Sequence, residues 1–331
     1  MRVSLSAVVL VAEAFSFHVS ANPIQTTRSS NHQPRELLQL PGIWIENIAV
    51  RHNGDLLLTT IGKGDIYSFN PSRPNAKPQV VANFDRISAA AGITEIGKDV
   101  FAITGAEYSS ETGFTPGSIQ MIRADFNKAR CGAHKNTTAP SIDFILRGSD
   151  VGPLNGLVTL PWHPNFVLGA DSTKGLVWRV DTTSGEAAVV IEDELLTPGP
   201  VGPYDFGVNG LKIFGDYLYF TCTKRRALGR VKIDAFGNKV EPAKLIAQFG
   251  DADSGAATDD FVMDKKGNAF VTVRPNLLYK VSPAGKKTVV MNGTIVAPAS
   301  VALSRNEKKL FVITAGDEAA SIGGQVVELD I

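Results

Sequence analysis

The chain has 331 residues, 44% of them hydrophobic, and 33 basic side chains balance 33 acidic ones. That apolar content can bury a large core, while a formal charge of zero excludes the basic surface that nucleic acid or an anionic membrane requires. The partners to expect are small molecules of low charge.

Residues 1–21 read as a signal peptide: Arg2 precedes the apolar run 3–12, and Val19-Ser20-Ala21 offers small residues for cleavage after Ala21. The run is too short to span a bilayer, and no later segment is long enough. Residues 22–34 are polar and aperiodic, a flexible lead-in to a domain over 35–331. A secretory route follows. Asn136-Thr137-Thr138 and Asn292-Gly293-Thr294 match glycosylation acceptors by pattern.

From residue 46 onward the chain repeats one unit: an opening strand, a turn, an apolar strand, a loop, and a strand ending in a polar residue. NIAVRHNGDLLLTT with DIYSFN is the first, and GITEIGKDVFAIT with SIQMIRAD the second. GLVTLPWHPNFVLGAD, GLKIFGDYLYFT, DFVMDKKGNAFVTV and SVALSRNEKKLFVIT open the other four. A fourth strand follows five units, as in QVVANF and AAVVIED, but the sixth ends at Ile331 without one. The missing strand stands before the first unit, at 36–40 (ELLQL). That displacement is how a ring of sheets removes its open edge, so the expected fold is an all-β, six-bladed β-propeller closed by an N-terminal strand in the last blade. Cys131 and Cys222 fall in different units, and two cysteines make no disulfide framework; both are expected as unpaired thiols.

In such a ring the innermost strands start at one end of a central channel. Their leading positions are Glu46, Ala91, Asn155, Asn209, Asp260 and Ser300. Two carboxylates and two amides among them supply oxygen donors suited to a hard cation. An Asn-Gly pair by itself is equally a turn signal. Two long loops, 105–117 (GAEYSSETGFTPG) and 197–208 (TPGPVGPYDFGV), are where function concentrates on a rigid scaffold. They offer Tyr108, Phe114, Tyr204 and Phe206, with Trp44, as the walls of a substrate pocket, and Lys224, Arg225 and Arg226 follow as cations.

Glu, Asn, Asn and Asp leading the first, third, fourth and fifth units resemble the calcium-dependent phosphotriesterase superfamily, which includes gluconolactonases, senescence-marker proteins and paraoxonases. The resemblance covers about 35–331 and implies Ca2+, structural or vestigial, on Glu46, Asn155, Asn209 and Asp260, with no organic cofactor. It departs where gluconolactonase-like members carry a fourth-blade aspartate, here Asn209. No histidine stands at a ring position: His52 and His163 fall in turns, His134 in a connection and His32 in the lead-in. The stretch LPGIWIENIAVRHNGDLLLTTIG is similar to fungal hetero-Diels-Alderases of tropolonic sesquiterpene pathways. This implies apolar, polyketide or terpenoid substrates and chemistry that needs orientation and a hydrogen-bond donor rather than a base. Asn155, Arg225, Tyr108 and Asp260 are then the catalytic candidates. The alternatives are a calcium-dependent lactonase or esterase using Asp260 as nucleophile or base, and a ligand-binding propeller without chemistry.

Overall fold

The computed structural model describes residues 33–83, 87–109, 111, 113–127, 139–148, 150–199, 205–251, 254–317 and 319–331. Signal peptide cleavage, Cys131, His32, His134, Asn136 and Tyr204 lie outside them.

The described chain is an all-β, propeller-like assembly whose one helical element is the short 3-10 turn Glu194–Leu196. Each sequence unit folds as an antiparallel meander, because β-branched and aromatic residues alternate with polar ones and Gly-containing turns separate the runs. Four sheets have four strands each. The third unit opens on Leu154–Leu160, the fourth on Val208–Phe214 and the fifth on Ala257–Met263. The last unit joins Pro298–Leu303, Lys309–Thr314 and Gly324–Asp330 to the N-terminal strand Arg35–Leu40, which pairs antiparallel with Gly324–Asp330. The first two units, opening on Trp44–Val50 and Ala89–Gly97, were expected as separate sheets. They share one eight-stranded sheet, because Leu56–Ile61 runs far enough past its turn for Ile61 to pair with Ala89.

Packing follows the same order. The opening strands neighbour one another in the sequence 1-2-3-4-5-6, and the sixth also lies beside the first. Apolar clusters fill the space between consecutive units: Leu57, Ile93 and Phe101 between the first and second, Leu168, Leu211 and Phe220 between the third and fourth. The cluster between last and first units holds Ile45, Leu58, Phe311 and Val326, with Leu40 of the N-terminal strand at its edge. Burial of this kind, at roughly 25 cal/mol per Å2 of apolar surface, is what holds neighbouring sheets face to face.

Candidate active site

A shared irregularity marks all six opening strands. Register with the second strand slips at Glu46, at Ala91-Gly92, Asn155-Gly156, Asn209-Gly210 and Asp259-Asp260, and at Ala299. These are β-bulges, which place an extra residue in one strand and re-aim its side chain. Asn-Gly at 155 and 209 is therefore bulged strand and not a turn. The glycines are required by proximity: a Cβ on Gly92 would sit 2.2 Å from the Asn155 carbonyl oxygen, and one on Gly156 2.2 Å from that of Asn209.

Bulging leaves backbone groups unpaired, and threonines on the second strands satisfy them. Thr104 Oγ1 accepts from Gly92 N at 3.0 Å and donates to the Leu154 carbonyl at 2.8 Å. Thr221 Oγ1 accepts from Gly210 N at 2.8 Å and donates to the Asp259 carbonyl. Each threonine thus repairs its own sheet and ties it to the next. Thr104→Val keeps the shape but strands two buried polar groups, so it should lower unfolding free energy by about 2–4 kcal/mol in urea titrations; a change below about 0.5 kcal/mol would contradict this role.

The bulges gather a polar cluster at the strand starts. Asn155 Nδ2 donates to Glu46 Oε1 at 3.3 Å, and Asn209 Nδ2 donates to Asp259 Oδ1 and Thr223 Oγ1, both at 3.0 Å. Arg274 reaches Asp259 Oδ2 at 3.0 Å and lies 5.2 Å from the Trp44 ring centre. Burial, and then the Asp259 carboxylate, push Glu46 up to about 8, against the opposing pull of Arg274 and Asn155. The Trp44 indole N–H acts on it weakly, without an ordinary hydrogen bond. Asp259 is raised too, chiefly by burial and despite Arg274. Glu46 therefore holds its proton more tightly than a free carboxylic acid, because burial and the facing Asp259 both disfavour its ionised form.

The sign of the pH effect follows. Glu46 titrates near 4.5 in the unfolded chain and near 8 in the fold, so the native state holds the proton more tightly. Its contribution is full below 4.5 and is lost as pH rises towards 8, by about 1.4 kcal/mol per pH unit at most. Metal-free protein should melt progressively lower across that window, and Glu46→Gln should flatten the slope. An unchanged slope in the variant would place the titration elsewhere.

Asp260 is set differently from the expectation. Asp259 makes the bond to Asn209, while Asp260 turns to Lys212 Nζ at 2.7 Å and Ser300 Oγ at 2.9 Å. Two adjacent residues in one bulge point apart, so the DD pair in ATDDFVMD divides between two clusters. Asp259, Arg274, Lys212 and Asn47 were not singled out in the sequence; the doubled acid was the available signal. His163 also departs from the turn assigned to it, for it begins the strand His163–Asp171 and stacks on Phe236 at 4.4 Å.

A narrow recess, about 20 Å3, opens beside Asn155. Phe114 and Phe206 line it together with Ala91, Leu154 and Ser172. Ser172 is 5% exposed and its hydroxyl has no partner. Nothing in GADSTKG marks this serine. Tyr108 stands behind the recess wall, its ring 5.1 Å from that of Phe114. Trp44 packs with Arg274 and does not line the recess. Arg225 anchors its own loop, donating to the Thr197 carbonyl at 2.8 Å and to Thr197 Oγ1 at 3.1 Å. Lys224 pairs with Asp205, and Arg226 donates to the Lys224 carbonyl at 3.3 Å. Cys222 is buried and free, its thiol pushed up to about 11 by burial, which makes it a poor nucleophile. Asn292 is exposed at the end of its strand.

Comparison with known proteins adds the decisive observation. A Phoma sp. protein named "Putative hetero-Diels-Alderase" is 31% identical over 95% of this chain and 94% of its own length. The chain belongs to this hetero-Diels-Alderase family. A Sarocladium schorii protein named "Putative hetero-Diels-Alderase asR5" is 29% identical, over 80% of this chain and 69% of its own length. No family model matches the chain. Among solved structures, regucalcin of Agrobacterium tumefaciens, described as calcium-binding, is 14% identical with a TM-score of 0.64, covering 91% of this chain and 94% of its own. A gluconolactonase of Xanthomonas campestris reaches 0.61 at 11% identity, covering 91% and 90%. At these identities the two structures speak for the propeller fold alone.

Proposed function

We propose that this protein catalyses a hetero-Diels-Alder cycloaddition between an electron-poor heterodiene, such as an o-quinone methide, and an apolar alkene. The observation that carries the reading is the 31% identity along 95% of the chain. The reaction converts three π bonds into two σ bonds and one new π bond, with no proton lost, so it needs orientation and polarisation rather than a base. The cluster suits that requirement. Burial and Asp259 shift Glu46 towards its neutral form, Asp260 is engaged by Lys212 and Ser300, Asp259 by Arg274 and Asn209, and burial raises the Cys222 thiol to about 11.

The recess beside Asn155 is where the substrates are placed. Phe114 and Phe206 supply apolar walls, and displacement of these two loop side chains admits molecules larger than the resting space of about 20 Å3. Asn155 gives one amide hydrogen to Glu46 and keeps the other for the heterodiene oxygen, and the unpartnered Ser172 hydroxyl offers a second donor. Both lower the energy of the acceptor orbital as charge develops on that oxygen. The aromatic walls hold the two reactants face to face, which removes part of the entropic barrier.

A calcium ion also fits the ring. Glu46 Oε2 and Asn209 Oδ1 are buried oxygens without a partner, and two buried carboxylates, Glu46 and Asp259, are both raised, Glu46 by burial and Asp259, and Asp259 chiefly by burial. Glu46, Asn155, Asn209 and Asp259 would hold it, and when bound it would supply Lewis-acid polarisation of a substrate oxygen. No cluster of three or more His, Cys, Asp or Glu ligands occurs among the described residues; the ring has two carboxylates and two amides. Glu46→Gln should weaken calcium binding by about tenfold in calorimetry, and unchanged affinity would remove Glu46 from the ligand set.

The wider architecture we infer is a closed propeller of six blades, the eight-stranded sheet counting as two. The cyclic order of opening strands and the apolar cluster between last and first units support it. We also propose export through residues 1–21, with the exposed Asn292 as a glycosylation site. Among the described residues no helix is long and apolar enough to cross a membrane.

The test is turnover of a generated o-quinone methide with a cyclic terpene alkene, beside lactone and aryl-ester hydrolysis with and without chelator. Enzyme-dependent, stereoselective cycloadduct at a rate nearly constant from pH 6 to about 7 is expected. Lactone hydrolysis abolished by chelator, with no cycloadduct, would leave a calcium-dependent lactonase in its place.

A further inference from the structure

The opposite mouth of the channel, where the opening strands end, contains a second cavity of about 390 Å3. That volume is within the range of small-molecule sites, about 300–1,000 Å3. Its apolar lining comes from different units, with Ile48, Ile93, Leu157, Val262 and Val301 contributing side chains. Asp260 and Lys212 also line it. Asp260 is 3% exposed and bonded to Ser300 Oγ at 2.9 Å, and Ser300 in turn lies 3.1 Å from Asn47 Oδ1. A Cβ on Gly210 would come within 2.3 Å of Asp260 Oδ1, so the glycine makes the space this carboxylate occupies.

Lys212 is the unusual member. Its ammonium bonds Asp260 at 2.7 Å and lies 5.2 Å from the Phe261 ring centre, yet its side chain is 26% exposed. An ammonium carries three donors, and only one has an acceptor among the described residues. A buried ion pair gives little net stability compared with apolar packing, because desolvation offsets attraction. Recognition accounts for the pair better than stability does.

The other charges at this mouth are already matched. Arg305 pairs with Glu95 at 3.0 Å and donates to the Arg51 carbonyl, and Glu307 lies 3.5 Å from Lys265. With Lys212 and Asp260 neutralising each other, the cavity has no excess charge for an ionic ligand. We propose that this mouth is a second binding site, separate from the recess at Asn155, for a neutral apolar molecule bearing a carbonyl or phenol oxygen. The oxygen accepts from Lys212, a phenol can also donate to Asp260, and the apolar body lies along the aliphatic lining.

Calorimetry with 4-hydroxyacetophenone tests this, with benzoate and benzylamine as charged controls. The neutral probe should bind once per chain, at least about tenfold more tightly than either control. Val262→Trp, which fills the cavity and leaves the ion pair, should weaken the neutral probe by about tenfold or more. Lys212→Met with Asp260→Leu, which removes both charges together, should do the same, while Phe114→Ala should leave binding unchanged. Absence of binding, tighter binding of a charged control, retention of affinity in both cavity variants, or loss in Phe114→Ala would each overturn the proposal. None of these outcomes depends on the cycloaddition.

Discussion

Deleting residues 33–41 should remove the cooperative unfolding transition or lower it drastically. Arg35–Leu40 is the only described partner of the outer edge of Gly324–Asp330, so its loss bares a long row of unpaired backbone groups. It also withdraws Leu40, which is 8% exposed, and the half-buried Leu37 and Leu38 from the cluster that joins the last unit to the first. Those side chains contribute on the order of 5 kcal/mol, comparable with the whole stability of many domains. Arg35→Ala is the control. Arg35 reaches Glu328 at 3.0 Å, but its side chain is 65% exposed, so the pair adds about 1 kcal/mol or less. A deletion variant that kept the parent's melting temperature in calorimetry would show that this strand is ornamental to the ring.

Removing both donors at the recess, Asn155→Ala with Ser172→Ala, should reduce the enzymatic cycloaddition rate by about a hundredfold or more. One well-placed donor to a developing oxyanion is worth about 10²–10³ in related acyl chemistry, and a less charged pericyclic transition state asks for somewhat less. The fall should appear in kcat more than in KM, because both hydrogen bonds strengthen as charge develops. Ser172→Ala alone removes a hydroxyl that has no partner, so its stability should stay within about 0.5 kcal/mol. Asp260→Asn, whose carboxylate bonds Lys212 and Ser300 and does not line the recess, should leave the rate within about twofold. Wild-type turnover in the double variant would remove these donors from the mechanism, whereas a large loss in Asp260→Asn would restore the hydrolase-like role read from the sequence.

Much of the architecture was legible because strand chemistry is local. Alternating apolar residues, Gly-containing turns and the displaced ELLQL depend on neighbours a few positions away, and each appears in the fold as a strand or turn. Periodicity also singled out Glu46, Asn155 and Asn209, and these equivalent repeat positions all fall at the bulged starts of opening strands. At the fifth unit the aspartate bonded to Asn209 is Asp259, one position before the Asp260 that the repeat brought out. Which of Asp259 and Asp260 faces Asn209 depends on how a bulge turns two successive side chains, and that is fixed by pairing with Thr258, Phe261 and the strand opposite. Tertiary structure alone set the charges as well. Burial and the facing Asp259 raise Glu46, Lys212 takes up Asp260, and Arg225 is spent on Thr197. Residue order carries the pattern of strands and their repeat. Desolvation, hydrogen-bond partners and the unpaired hydroxyl of Ser172 exist only once distant segments meet, because each is a property of the space between chains and not of the residue itself.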